Sequence, residues 1–279
     1  MSERFYKTPQ AQLKTDDDFE PELSIAGILR STIHDLAEKF PNLVMALALP
    51  ILLLQVCNAT IRMFSKAIGS ENIDEAYLIA NYFLAISLVS ALIWGLLAVA
   101  CHRVLLNDPQ PPTLFNGIWL GRRQVRYLIR AAILGFPIGF SMGVLLVFYQ
   151  AFFVLYVQTD DSEIPSTYIS TLASQVIVLP LHYLIARFSL VLPATALGQP
   201  MTFGQSWAET SGNGWRLTCI LISAPFVASF LYPIFSTDNP SFFWPSYIAS
   251  NVITLVAAVI AIAALSKSYD WFMNNDLGG

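Results

Sequence analysis

The chain has 279 residues, of which 55% are hydrophobic and only 12% charged, with a formal net charge of −4 at pH 7. A soluble domain carries about 25% charged residues, so this composition excludes an ordinary water-soluble fold. The negative balance and the lack of a basic stripe with interleaved aromatics argue against nucleic acid as a partner.

Residues 1–22 are polar and include Asp16, Asp17 and Asp18. They read as a flexible cytoplasmic tail without a secretory signal. Residues 23–267 read as a single transmembrane helical domain, and 268–279 as a short cytoplasmic tail. The domain opens with IAGILRSTIHDLAEKF (25–40), in which Ile25, Leu29, Ile33, Leu36 and Phe40 recur at helical spacing. Arg30, His34, Asp35, Glu38 and Lys39 lie off that stripe, so an amphipathic helix is expected.

Six apolar segments follow, at 42–64, 77–101, 127–157, 168–190, 215–235 and 246–266. Each is long enough to cross a hydrocarbon core of about 30 Å as a helix. Lipid cannot satisfy an exposed backbone, which leaves helices as the spanning element. The expected fold is all-α, a polytopic membrane protein with six transmembrane helices. Every Lys and Arg except Arg62 and Lys66 falls on one side of this topology, while the opposite loops carry Glu71, Asp74, Glu75, Asp160, Asp161, Glu163 and Asp238. The positive-inside rule makes the basic side cytoplasmic, with both termini there. His102 and Arg103 end the second span and read as interfacial anchors.

Two loops on the basic side resemble one another. Pro112, Phe115, Trp119, Tyr127 and Pro137 recur in register as Pro200, Phe203, Trp207, Trp215 and Pro225. Thr202 and Gln205 form a capping-box pattern, and Gly212-Asn213-Gly214 reads as a stop. Such a helix would lie in the membrane interface, with Trp119, Trp207 and Trp215 as anchors at headgroup depth. Phe40 stands before Pro50 at the interval that separates Tyr127 from Pro137 and Trp215 from Pro225. Three parallel repeats are therefore expected, at 23–106, 112–190 and 200–267, each an interfacial helix followed by a transmembrane hairpin.

The run 186–217, with Arg187, Pro193, Ala194, Trp207, Thr210, Gly212, Trp215 and Arg216, resembles a pattern found in a bacterial six-helix membrane family of unknown role. It is similar to the membrane domain fused to some glycerophosphodiester phosphodiesterases. The resemblance implies a bacterial cytoplasmic (inner) membrane protein of about six helices. It implies no phosphodiesterase chemistry, because only SYDWFMNNDLGG follows Lys267.

The candidate sites are modest. Gly135, Gly139 and Gly143 form a small-residue row suited to close helix packing, within the bundle or between two copies. Arg122, Arg123 and Arg126 cluster where anionic lipid headgroups would lie, although orientation alone explains their charge. His182, Arg187, Asn58, Gln150 and Gln175 lie in spans and are candidates for a polar path or for interhelical hydrogen bonding, as are Asn81 and Asn251. Cys57, Cys101 and Cys219 are scattered in apolar runs, so no metal site is expected, and no cofactor motif is present.

These features predict a non-enzymatic integral membrane protein. It would present interfacial helices and act as an accessory or scaffold subunit of a membrane complex, or organise local lipid. The partners expected are membrane lipids and a membrane protein or a second copy. The alternative is a transporter or channel for a small or amphipathic solute, which a continuous polar cavity would favour. An intramembrane lipid enzyme would need His182 and Arg187 to face one wet pocket.

Overall fold

A computed structural model describes residues 22–67, 73–108, 120–156, 166–199, 201–235 and 243–275. The regular structure among them is helical throughout. In chain order the helices are α1 (Ile25–Glu38), α2 (Phe40–Ala67), α3 (Ile73–Leu105), α4 (Arg122–Tyr156), α5 (Ser166–Phe188), α6 (Val191–Ala196), α7 (Phe203–Glu209), α8 (Gly214–Phe235) and α9 (Phe243–Asn275). Six of them, α2, α3, α4, α5, α8 and α9, contain stretches long and apolar enough to cross a membrane. The protein is an all-α polytopic membrane protein, as its hydropathy requires.

Consecutive spans pack as the hairpins α2–α3, α4–α5 and α8–α9. α3 and α9 join the first hairpin to the last, α5 packs on α8, and α3 on α4. Pro50, Pro137 and Pro180 lie inside α2, α4 and α5. Each removes a backbone donor and frees a carbonyl one turn earlier, which neighbouring groups in a membrane bundle can satisfy.

Two apolar clusters stand out among the described residues. Leu23, Ile28, Leu190, Leu217, Ile220, Leu265 and Phe272 form a cluster that joins α1, α8 and α9. A second cluster, with Leu43, Leu47, Leu54, Leu97 and Ala263, joins α2, α3 and α9. One end of the bundle carries the charges that the sequence places on one side, because ion pairs and hydrogen bonds tie the ends of α1, α3, α4, α8 and α9 together there.

Four local features differ from expectation. α1 turns Ile28 and Thr32 inwards, and of the expected stripe Leu29 and Leu36 pack against the core while Ile25, Ile33 and Phe40 stay exposed. α9 does not stop at 267 but continues to Asn275, with Ser268, Tyr269 and Phe272 buried. A short helix not marked in the sequence, α6, follows α5 after Ser189–Leu190, and with Pro193 and Ala194 buried it packs against α3, α4 and α9. His102 and Arg103 are not interfacial anchors, since both are buried. Trp119 and the helix expected around it lie outside the described residues.

Candidate functional site

The motif residues of 186–217 form one interlocked unit. Arg187, near the end of α5, is 8% exposed. Its guanidinium lies 4.1 Å from the ring centre of Trp207 on α7, and donates to the Tyr183 hydroxyl at 3.1 Å and to the Trp207 carbonyl. The Arg187 carbonyl accepts from the Ser206 and Thr210 hydroxyls. α7 is thus stapled across the end of α5, and Thr202 and Gln205 close its first turn as the expected capping box. Gly212 has φ 71°, a left-handed conformation that glycine adopts without strain, and the chain turns there into α8. A Cβ at Gly214 would stand 2.7 Å from Arg187 Cδ and 2.9 Å from the Tyr183 ring, so only glycine leaves room for the clamp. Trp215 completes the stack, with its ring 4.5 Å from that of Tyr183. Arg187 is therefore buried against Tyr183 and Trp207. It holds α7 to the end of α5.

A second polar network closes the same end of the bundle. Arg103 Nε donates to the buried Asp108 carboxylate at 2.7 Å, and Arg123 approaches that carboxylate at 3.4 Å. Asn107 has φ 53°, a left-handed turn that asparagine tolerates, and it sends Asp108 back towards Arg103. Arg130 donates to Thr195 at 2.6 Å, linking α4 to α6. Buried Ser266 on α9 meets His102 Nδ1 at 2.7 Å. The Ser266 hydroxyl also donates to the Ile262 carbonyl, which assigns the shared hydrogen to Nδ1 and leaves Nε2 as a lone pair.

Ser266 lies at the base of a cavity of about 290 Å³ between the ends of α1, α3 and α9. Asp35 and Glu38 of α1 with Lys39 just beyond it form one wall, Asn107 another, and Lys267 and Asp270 a third. Lys267 pairs with Asp35 at 2.6 Å, and Lys39 donates to the Leu105 carbonyl at 2.6 Å. Both ammonium groups are thereby engaged. Glu38 and Asp270, with the C-terminal carbonyls of α1 and α3, give the cavity a negative character. His34, Asp35 and Glu38 bring potential metal-ligating atoms close together on exposed α1.

The other candidates are dispersed. Asn58 on α2 donates to Asn251 on α9 at 2.9 Å, an interhelical bond of the kind expected. His182 Nδ1 lies 3.1 Å from the Val178 carbonyl of its own helix. Gln175 is half-buried on α5, and the Gln150 side chain lies outside the described residues. Arg122 and Arg126 are exposed. Among the described residues the Gly135, Gly139 and Gly143 row has no neighbour from this chain, because a Cβ at any of the three would meet nothing within 4 Å. The groove is open, flanked by exposed Phe136 and Phe140.

Sequence reasoning found Arg187, Trp207, Thr210 and Trp215 but not their shared contact. It missed His102–Ser266, Arg103–Asp108 and Asp35–Lys267 as pairs. The only signal was a charged or polar residue at each helix end.

Among known proteins, no family model, no curated protein and no solved structure matches this chain.

Proposed function

We propose that this chain is a non-enzymatic accessory or scaffold subunit of a bacterial cytoplasmic-membrane complex, with its basic end and both termini in the cytoplasm. The observation that carries the reading is the outer face of α4. Only 6% of its most apolar window is buried, against 39% for the span that follows. On that face the glycine groove runs beside a ridge of Ile133, Phe136, Phe140 and Val147, all exposed. A groove beside a ridge is what a partner transmembrane helix requires for close approach. Arg187 is committed to its clamp and His182 lies against its own helix, which speaks against an intramembrane lipid enzyme built on that pair. Three parallel repeats belong to this reading. In their support, α1 packs on α9 and α7 on α5, so both lead-in helices rest on the return helix of another hairpin.

The test is the mass of the native assembly extracted in mild detergent. A discrete additional protein subunit, lost on Gly139→Leu, is the expected result. A monomer or homo-oligomer that retains only lipid would sink the proposal and put lipid handling or solute transport first.

A further inference from the structure

α1 carries the feature with most left to explain. It is tied at both ends to the charged end of the bundle. At its start, the Leu23 amide donates to Asn213 Oδ1 at 2.9 Å, and Glu22 pairs with Arg216 at the mouth of α8. Near its end, Asp35 pairs with Lys267 of α9, and Lys39 caps the Leu105 carbonyl of α3. A helix fastened first to the beginning of α8 and then to the ends of α9 and α3 runs across the bundle, in the plane where the spans emerge.

At about 3.6 residues per turn, α1 divides into three sectors. Ile28 and Thr32, 7% and 0% exposed, point to the bundle, and half-buried Leu29 and Leu36 pack against its core clusters. Arg30, His34 and Glu38 form a polar flank that leads to the charged cavity. Ala26, Ile33 and Ala37 form an adjoining apolar flank, where Ile33 is 62% exposed, and Phe40, 63% exposed, opens α2 directly after it. The apolar flank continues into exposed Val44, Met45, Leu52 and Val56 of the first span. An apolar flank continuous with a lipid-facing surface, beside a polar flank, is the signature of a helix lying in the membrane interface.

We propose that α1 is a preformed membrane-surface helix whose apolar flank, centred on Ile33 and continued by Phe40 at the start of α2, is seated among phospholipid acyl chains at the headgroup boundary. His34 and Glu38 then face water. The four ties hold the flank in place before lipid arrives, so seating it requires no folding step. The sequence alone places the whole stripe from Ile25 to Phe40 on one face. The structure divides that stripe between bundle and lipid. The inference rests on the membrane placement of the bundle, and not on the partner proposed for α4.

The experiment uses the full chain in phosphatidylethanolamine–phosphatidylglycerol vesicles, with Cys57, Cys101 and Cys219 replaced by alanine. A nitroxide is attached in turn at Ile33→Cys, Phe40→Cys, His34→Cys and Glu38→Cys, with Ala26→Cys as a milder substitution on the apolar flank and Phe136→Cys in mid-span. Collision with oxygen reports lipid, and collision with a water-soluble nickel chelate reports water. Oxygen should dominate at 26, 33 and 40, and the chelate at 34 and 38. Chelate access at 26, 33 and 40 would overturn the proposal by placing the helix in water. Protection of all three from both reagents would overturn it by placing protein on the flank. Oxygen access at 136 with failure at 33 and 40 defeats only this inference. Chelate access at 136 defeats the membrane placement itself.

Discussion

The residue that organises the basic end is Arg187. Its guanidinium stacks on Trp207 and reaches the Tyr183 hydroxyl and the Trp207 carbonyl, so one side chain closes contacts from two helices. Desolvated cation–π contacts and buried hydrogen bonds together suggest a loss of about 3 kcal/mol for Arg187→Ala, read as a lowered denaturation midpoint in detergent. Arg187→Lys should recover little, because an ammonium neither stacks as a plane nor bridges two acceptors in a fork. Glycines give a sharper contrast. Gly214→Ala forces a methyl against Arg187 and Tyr183 and should cost about 1–3 kcal/mol. Gly139→Ala meets open space and should leave the stability of the isolated chain within about 0.5 kcal/mol. Equal losses at the two sites would show that the open groove is filled within one chain. Ser266→Ala strands His102 Nδ1 in a buried site and should cost about 1–3 kcal/mol in the same melt.

At the scale of elements, hydrogen bonds join helices that hydropathy alone leaves unpaired. The Asn58–Asn251 bond links α2 to α9, and a double-mutant cycle to alanine should return a coupling of about 0.6 kcal/mol, the usual size for such bonds in membrane bundles. The ties of α1 have a local readout. Asn213→Ala removes the acceptor of the Leu23 amide. Hydrogen exchange should then rise over the first turn of α1 while α9 stays protected, since the Lys267–Asp35 pair holds the other end. An unchanged exchange pattern would mean that burial of Leu23 and Ile28 alone fixes this helix.

At the scale of the whole molecule, the described residues place the Arg103–Asp108 pair, the His102–Ser266 contact and the Arg187 clamp at the basic end, and α4 presents a largely bare outer face. Topology is testable at this scale. In intact cells, a membrane-impermeant thiol reagent should label Asp161→Cys directly, and Asn274→Cys only after permeabilisation. The reverse pattern would invert the bundle and move the basic end outside.

The six spans, the all-α class and the grouping of basic residues were legible in the sequence. They depend on quantities each segment carries by itself: its length, its transfer free energy and the charges at its ends. The capping box at Thr202 and Gln205 was legible for the same reason, since both partners lie within one turn. What the tertiary structure decided are relations between distant residues. Periodicity marks α1 as amphipathic, but only its fastening to Asn213, Lys267 and Leu105 selects which part of the stripe is buried. Composition places His102 and Arg103 at a helix end, but only the approach of Ser266 on α9 and the turn at Asn107 draw them inside. The glycine row reads the same whether a helix lies upon it or not, and the arrangement of the other five spans leaves it open. A pairing between residues far apart in sequence has no local period, so its physical basis exists only once the helices have packed.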